Sequence, residues 1–109
     1  MNFKPDAYFD KANRHVIAVD LDATLTNGEN AWTTEPTPHQ KHIDIIRGLY
    51  KKGYVIIIHT ARLWEYSCET VAWLIRNRVP FHGVMMGKMG SDLYIDDKNG
   101  SFDELEKLL

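Results

Sequence analysis

The chain has 109 residues, of which 44% are hydrophobic and 26% charged, so we expect one globular domain, residues 1–109, with a single core. Its formal net charge of −2 at pH 7 disfavours a nucleic-acid-binding protein, because such proteins usually carry a basic excess. The longest apolar runs are far too short to cross a bilayer, which predicts a soluble, cytoplasmic protein with no membrane partner.

The first half of the chain predicts an arm, a strand, a loop and a helix. Residues 1–14 are polar and are interpreted as an N-terminal arm. His15–Val19 is short, continuous and β-branched, as is typical of a buried strand. Residues 27–40 contain Gly, Asn and Pro and predict a loop. A helix from about Pro38 to Lys52 follows, because apolar residues recur at helical spacing and Gly53 suits the position just past its end.

The next segments repeat this alternation of strand and helix. Tyr54–His59 is a second apolar, β-branched run and predicts a second buried strand. The segment from Trp64 to Arg78 predicts a second helix, which Pro80 cannot continue. Phe81–Met86 predicts a third, weaker strand.

The last part of the chain predicts a very short fourth strand and a final helix. The strand is Leu93–Ile95, and the helix would begin near Ser101, because Ser101 and Glu104 have the spacing of a capping box. Strands that alternate with helices predict an α/β fold with a parallel sheet built from right-handed crossovers.

Each predicted strand is followed by a segment that contains carboxylate, hydroxyl or ammonium side chains suited to catalysis or ligand binding. The carboxyl ends of parallel strands meet at one edge of a sheet, where ligand sites of such folds lie. The residues at this edge are Asp20 and Asp22 after the first strand, Thr60 after the second, Lys88 after the third, and Asp96 and Asp97 after the fourth. Clustered carboxylates repel one another unless a positive charge lies among them, and Mg²⁺ prefers a few carboxylates, waters and a substrate phosphate. The pattern therefore predicts a Mg²⁺ site.

The residue types at this edge suit phosphoryl transfer. Of Asp20 and Asp22, one carboxylate can attack phosphorus while the other gives a proton to the leaving oxygen and later takes one from water. Lys88 can neutralise charge on the transferring group, and Thr60 can hydrogen-bond a phosphoryl oxygen. The sequence has no Gly-x-x-x-x-Gly-Lys-Ser/Thr string, which disfavours a P-loop kinase.

Four segments in order resemble the motifs of the haloacid dehalogenase superfamily. Residues 16–26, VIAVDLDATLT, are similar to its first motif, an apolar strand followed by Asp-x-Asp-Gly-Thr. Residues 55–60, VIIIHT, resemble the second motif, an apolar strand that ends in Thr or Ser. Lys88 stands where the lysine of the third motif is expected, and Asp96 with Asp97 resembles the paired acids of the fourth.

The resemblance implies a Mg²⁺-dependent phosphatase and a role for each matching residue. Asp20 would be the nucleophile that becomes an aspartyl-phosphate, and Asp22 the general acid/base. Thr60 and Lys88 would hold the phosphoryl group. The implied metal ligands are Asp20, Asp22 through its main-chain carbonyl, Asp96, and Asp97 either through water or as a support for Lys88.

The resemblance also implies a Rossmann-like three-layer sandwich around a central, mostly parallel sheet. Members of this superfamily usually carry an inserted cap domain, but residues 27–40 are too few for one, so this chain resembles a capless member. An open site implies either a large substrate or a neighbouring subunit that covers the cleft, which leaves a homo-oligomer open.

One position departs from the superfamily pattern. Ala23 stands where the first motif normally has glycine, which permits a tight, left-handed turn; alanine costs free energy there. We expect reduced flexibility rather than lost chemistry. Ala23 is also what supports the rival interpretation, a binding or regulatory module that keeps the fold without turnover.

The substrate class follows from resemblance alone. Residues 87–99, GKMGSDLYIDDKN, are similar to small bacterial and phage capless phosphatases, some of them linked to capsule or surface-sugar biosynthesis. A sugar phosphate or other small phosphorylated metabolite is therefore the first expectation. A nucleotide or polynucleotide-end phosphate is the second, and the lack of a basic excess counts against it.

Five further residues carry weaker expectations. Cys68, the single cysteine, excludes an intramolecular disulfide and is expected to be a small, mostly buried side chain. Trp64 and Trp73 are explained by helix packing, and Trp32 is placed to line a substrate site. Arg62 is interpreted as a structural arginine or one at the edge of the site.

Overall fold

The computed structural model describes residues 16–28 and 35–109. The predicted N-terminal arm, residues 1–14, lies outside the described residues, as do His15 of the first predicted strand and Trp32.

The described strands form one parallel sheet in the order β1-β2-β3. They are β1 (Val16–Val19), β2 (Val55–His59) and β3 (Gly83–Met85). Val19 is in register with Ile58, which in turn lies opposite Val84, so the carboxyl ends of all three strands reach the same edge. The predicted α/β class and parallel sheet are confirmed.

The first helix, α1 (Gln40–Lys51), begins two residues later than predicted because a side chain caps it. His39 Nδ1 accepts the backbone N–H of His42 at 3.2 Å, which satisfies one of the free donors of the first turn. The helix ends where Gly53 takes a φ of +96°, a left-handed conformation that glycine adopts at little cost.

The second predicted helix is shorter than expected at both ends. A 3₁₀ turn (Trp64–Tyr66) precedes α2 (Ser67–Arg76). The chain leaves α2 through Arg78, whose φ is +57°, a left-handed conformation that a right-handed helix cannot contain, so the helix has ended before Pro80. The last helix, α3 (Phe102–Glu106), has the predicted cap, since Ser101 Oγ accepts the N–H of Glu104 at 3.4 Å.

The core lies between one face of the sheet and the helices. Ile56 and Ile58 on β2 are fully buried, whereas the residues that alternate with them along the strand point to the opposite face. That opposite face is less covered by the described residues, where Val16 is 46% and Met85 52% exposed. The core residues are Val19, Leu21, Leu25, Ile43, Ile45, Ile46, Leu49, Ile56, Ile58, Trp73, Leu74 and Val79.

Three expectations drawn from the sequence are wrong. Leu93–Ile95 pairs with no described strand, and Ile95 is 90% exposed. Three apolar residues without a partner strand bury too little surface to hold an extended conformation. Cys68 is exposed on the outer side of α2, and Trp64 is 60% exposed because it lies in the turn before that helix. Trp73, by contrast, is buried as expected.

The two ends of the predicted loop lie side by side. Thr26 and Pro38 form an isolated antiparallel bridge, and Asn27 N–H donates to the Thr37 carbonyl at 3.0 Å. Residues 26–27, which follow the turn after β1, therefore lie beside residues 37–38, which precede α1. Within the described ranges, no helix is both long and apolar enough to span a membrane.

Candidate active site at the carboxyl edge of the sheet

The turn after β1 presents Asp20. Its carboxylate is half-buried, and Oδ2 accepts a hydrogen bond from the Thr24 hydroxyl at 3.2 Å. The other oxygen, Oδ1, accepts no hydrogen bond from the described residues. The turn is tight because the Leu21 carbonyl accepts the N–H groups of Thr24, Leu25 and Thr26 at 3.2, 2.8 and 3.1 Å. One oxygen of Asp20 is thus fixed and the other available.

Ala23 occupies the left-handed conformation that glycine favours, with a φ of +61°. This confirms the left-handed turn expected at this position of the motif. Buried Thr26 holds the turn, because its Oγ1 accepts the N–H of Ala23 at 3.0 Å and that of Gly28 at 3.3 Å. Two backbone donors that a sharp turn would leave unpaired are satisfied by one side chain.

Asp22 is paired with Arg62, the residue that the sequence left undecided. Arg62 Nη2 donates to Asp22 Oδ1 at 2.8 Å, and Nε donates to Oδ2 at 3.0 Å. The pair is a two-pronged contact between a planar guanidinium and a carboxylate, which is short and geometrically specific. The signal that pointed to Arg62 was its place two residues after Thr60, beyond the end of β2. Spacing alone did not reveal its partner.

The parallel pairing of β2 and β3 continues past the strands as three backbone hydrogen bonds. Thr60 N–H donates to the Met85 carbonyl at 2.9 Å, and Lys88 N–H donates to the Thr60 carbonyl at 2.8 Å. Gly87 N–H donates to the Arg62 carbonyl, also at 2.8 Å. These bonds fix the segment that carries Thr60 and Arg62 against the one that carries Lys88.

Thr60 and Lys88 differ in their access to solvent. Thr60 is fully buried, and its Oγ1 accepts the N–H of Arg62 at 3.1 Å. Lys88 is half-buried, and its Nζ lies 4.4 Å from the centroid of the Tyr94 ring, a cation–π distance. It forms no ion pair with a carboxylate in the part of the chain that the structure describes.

Asp96 and Asp97 lie in an exposed, irregular segment. Asp96 Oδ1 accepts the N–H of Lys98 at 2.8 Å, and Asp97 Oδ2 lies 3.2 Å from Lys98 Nζ. The hydrogen bond from Lys98 holds the pKa of the Asp97 carboxyl below its ordinary value, and a second from Asp96 acts in the same direction. Both acids are thus engaged locally rather than with the turn after β1.

Comparison with known families identifies the chain's relatives. The sequence model of the family described as the LNS2 domain of PITM 1-3 matches residues 17–108, which is most of the chain. The chain belongs to this LNS2 family. Its fold is the haloacid-dehalogenase-like phosphatase fold, as the sequence motifs implied. No curated protein sequence matches the chain.

Solved structures agree with this fold. A protein from Vibrio cholerae superposes with a TM-score of 0.73 at 25% identity, over 84% of this chain and 87% of that one. The Pnkp1/Rnl/Hen1 complex matches with a TM-score of 0.60 at 21% identity, over 78% of this chain and 31% of that one. The Pnkp1/Rnl/Hen1 RNA repair complex gives 0.60 at 18% identity, over 91% and 32%. At these identities the two complexes support the fold alone.

The site of this LNS2-family chain is therefore assembled from three of the four expected segments. Asp20, Asp22, Thr60 and Lys88 lie just past the ends of adjacent strands; Arg62 links Asp22 to Thr60, and a backbone hydrogen bond links Thr60 to Lys88. Among residues 16–28 and 35–109, no group of three or more His, Cys, Asp or Glu side chains is arranged to hold a metal ion. The metal-ligand roles of Asp96 and Asp97 stay predictions.

Proposed function

We propose that this LNS2-family chain is a Mg²⁺-dependent phosphomonoesterase that works through an aspartyl-phosphate on Asp20. The observation that carries this proposal is the pair of aspartates on the turn after β1. Asp20 has one oxygen held by Thr24 and one available, while Asp22, two residues on, is held by a guanidinium. The two aspartates thus have different partners, a hydroxyl for Asp20 and a guanidinium for Asp22.

The reaction proceeds in two displacements. Asp20 Oδ1 attacks phosphorus, the bond to the ester oxygen breaks, and Asp22 gives its proton to that leaving oxygen. Water then attacks the phosphorus of the aspartyl-phosphate, and Asp22 takes a proton from it. The bond between Asp20 and phosphorus breaks, which releases inorganic phosphate and restores both carboxyl groups.

Lys88 and Thr60 are assigned to the phosphoryl group. Lys88 follows β3 at this edge, and its ammonium forms no ion pair with a described carboxylate, so it is suited to the phosphoryl oxygens. Thr60 is placed by its backbone bond to Lys88, which supports a shared role. Because Thr60 is fully buried, its contact with a phosphoryl oxygen requires the side chains that cover it to move.

Magnesium is proposed from the chemistry of the donors. Asp20 offers a carboxylate oxygen and Asp22 a main-chain carbonyl from the same turn, and all-oxygen donors with open positions suit Mg²⁺. Asp96 would add a carboxylate, and Asp97 would act through water or support Lys88. When bound, the cation would neutralise the charge between the nucleophile and the phosphoryl group.

A sugar phosphate or another small phosphorylated metabolite is the first substrate class. A second candidate is a polynucleotide-end phosphate, which the fold similarity to the Pnkp1/Rnl/Hen1 RNA repair complex favours. The net charge of −2 counts against it, because a polynucleotide requires basic contacts along its backbone. A binding module without turnover is the alternative that the strained Ala23 supports.

Phosphate release from a panel of substrates tests the proposal. The panel holds phosphorylated sugars, nucleotides, an oligonucleotide with a terminal phosphate and 4-nitrophenyl phosphate, each with Mg²⁺ and with chelator. Asp20→Asn is expected to abolish release, and Asp44→Asn, an exposed acid on α1, serves as the matched control. If the folded protein released phosphate from none of these, or if Asp20→Asn kept full activity, the phosphatase proposal would be refuted in favour of a binding module.

A further inference from the structure

We propose that Arg62 is the positioning residue of the acid/base group, holding the Asp22 carboxylate in the orientation that proton transfer requires. This role rests on the proposed phosphatase function. It goes beyond the two roles that the sequence left open for Arg62, a structural arginine or one at the edge of the site.

The contact has the geometry of a positioning interaction. Nη2 to Oδ1 is 2.8 Å and Nε to Oδ2 is 3.0 Å, so two parallel hydrogen bonds fix both the position and the plane of the carboxylate. A single hydrogen bond would leave the carboxylate free to rotate about it. Lysine, with one compact ammonium, cannot reproduce this fork.

The two partners differ in burial. The Arg62 side chain is 5% exposed, whereas that of Asp22 is 19% exposed, so the carboxylate is the partner that solvent reaches more easily. Each carboxylate oxygen has two lone-pair positions, and the guanidinium occupies one on each. The outward position on either oxygen stays free to carry the proton that goes to a leaving oxygen, or to accept a proton from water.

Arg62 is itself held in place by the segments around it. Its N–H donates to Thr60 Oγ1 at 3.1 Å, and its carbonyl accepts the Gly87 N–H at 2.8 Å. Nη1 makes a long contact, 3.4 Å, with Oγ1 of buried Thr70 on α2. The orientation of Asp22 is therefore tied to the segment that carries Thr60, although the two lie on different strands.

If Arg62 positions the acid Asp22, replacing Arg62 should lower kcat/KM by a factor that depends on the leaving group of the ester. Phosphorylation of Asp20 by phenyl phosphate needs a proton for a basic phenolate, whereas 4-nitrophenolate leaves with little help. The ratio kcat/KM covers the steps up to formation of the phosphoenzyme, so it reports Asp22 as an acid and leaves out its later role as a base. A merely structural arginine would lower kcat/KM equally for both esters.

The experiment compares Arg62→Gln and Arg62→Lys with the wild type on the two esters in Mg²⁺. Arg76→Gln is the matched control, since Arg76 forms an exposed ion pair with Glu35 on the outer surface. General acid catalysis contributes about 10²–10⁴-fold, so Arg62→Gln should lower kcat/KM for phenyl phosphate about 100-fold. For 4-nitrophenyl phosphate the loss should stay below about tenfold, because little acid catalysis is there to lose. Arg62→Lys should show the same selectivity, and Arg76→Gln none.

A double-mutant cycle with Asp22→Asn completes the test. If Arg62 acts through Asp22, adding Arg62→Gln to Asp22→Asn should cause no further loss on phenyl phosphate. Urea unfolding of the wild type, the two single variants and the double variant measures the interaction between Arg62 and Asp22 independently of activity. The changes in the free energy of unfolding should not add, which would show that the two residues are coupled. Arg62→Lys keeps a buried charge opposite Asp22, so it carries the comparison if Arg62→Gln does not fold.

Equal losses on both esters, or losses that multiply in the cycle, would overturn the positioning role while leaving the phosphatase intact. Unfolding free energies that simply add would do the same. An inactive wild type, or an active Asp20→Asn, would instead overturn the proposed function, and the positioning role would fall with it.

Discussion

Replacing Ala23 by glycine should make the protein more stable, although most substitutions by glycine destabilise. Ala23 has a φ of +61°, where its Cβ crowds the following carbonyl at a cost of about 1–2 kcal/mol. Glycine avoids that cost but loses more backbone freedom on folding, which lowers the free energy of unfolding by about 0.5–1 kcal/mol. The side chain is exposed, so little buried apolar area is lost. The net expectation is a gain of about 0.5–1 kcal/mol, or about 3 °C in Tm for a domain of this size.

Urea unfolding followed by circular dichroism measures this change, with Ala72→Gly as the matched control. Ala72 lies inside α2, in ordinary helical conformation, so the same substitution there should destabilise by about 1 kcal/mol. The two variants delete the same methyl group and should shift the midpoint in opposite directions. If Ala23→Gly destabilised as Ala72→Gly does, the left-handed turn at residue 23 would not be the conformation in solution.

Two further substitutions probe the backbone around the site. Thr26→Val keeps the shape of a buried side chain but removes the acceptor for the N–H groups of Ala23 and Gly28, so the free energy of unfolding should fall by about 1–3 kcal/mol; an unchanged urea midpoint would contradict this. Arg78→Gly relieves the other left-handed non-glycine residue, at φ +57°, and should raise stability by about 0.5–1 kcal/mol. Asn77→Gly, at a φ of −92°, is the control for thermal unfolding and should show no such gain.

The secondary structure was predictable where a segment carries its own signal. The apolar runs of β1 and β2 correctly predicted strands, although one face of β1 is exposed rather than buried, and Gly53 and Ser101 correctly marked helix boundaries. Prediction failed for Leu93–Ile95, because a strand exists only when it has a partner and sequence does not supply one. The predicted second helix was shortened at both ends, because Trp64–Tyr66 forms a 3₁₀ turn and Arg78 takes a left-handed φ that ends the helix before it.

The sequence also determined which residues meet at the candidate site. Asp20, Asp22, Thr60 and Lys88 follow three runs that form adjacent parallel strands, so topology alone brings them to one edge. Their order along the chain and the motif around Asp20 were sufficient for this, because a parallel sheet aligns the ends of its strands.

Only the tertiary structure decided which side chains of the site form hydrogen bonds and ion pairs with one another. Arg62 and Asp22 are 40 residues apart, and the sequence around neither residue indicates that the other is its partner. The pair forms because β1 and β2 are parallel and in register, so the segments that follow them leave the sheet at the same edge. The left-handed φ of Ala23 likewise depends on the folded turn, which hydrogen bonds to the Leu21 carbonyl and to Thr26 Oγ1 hold closed. Sequence encodes the chemistry of each side chain and its strand, whereas distances between strands exist only after the chain has folded.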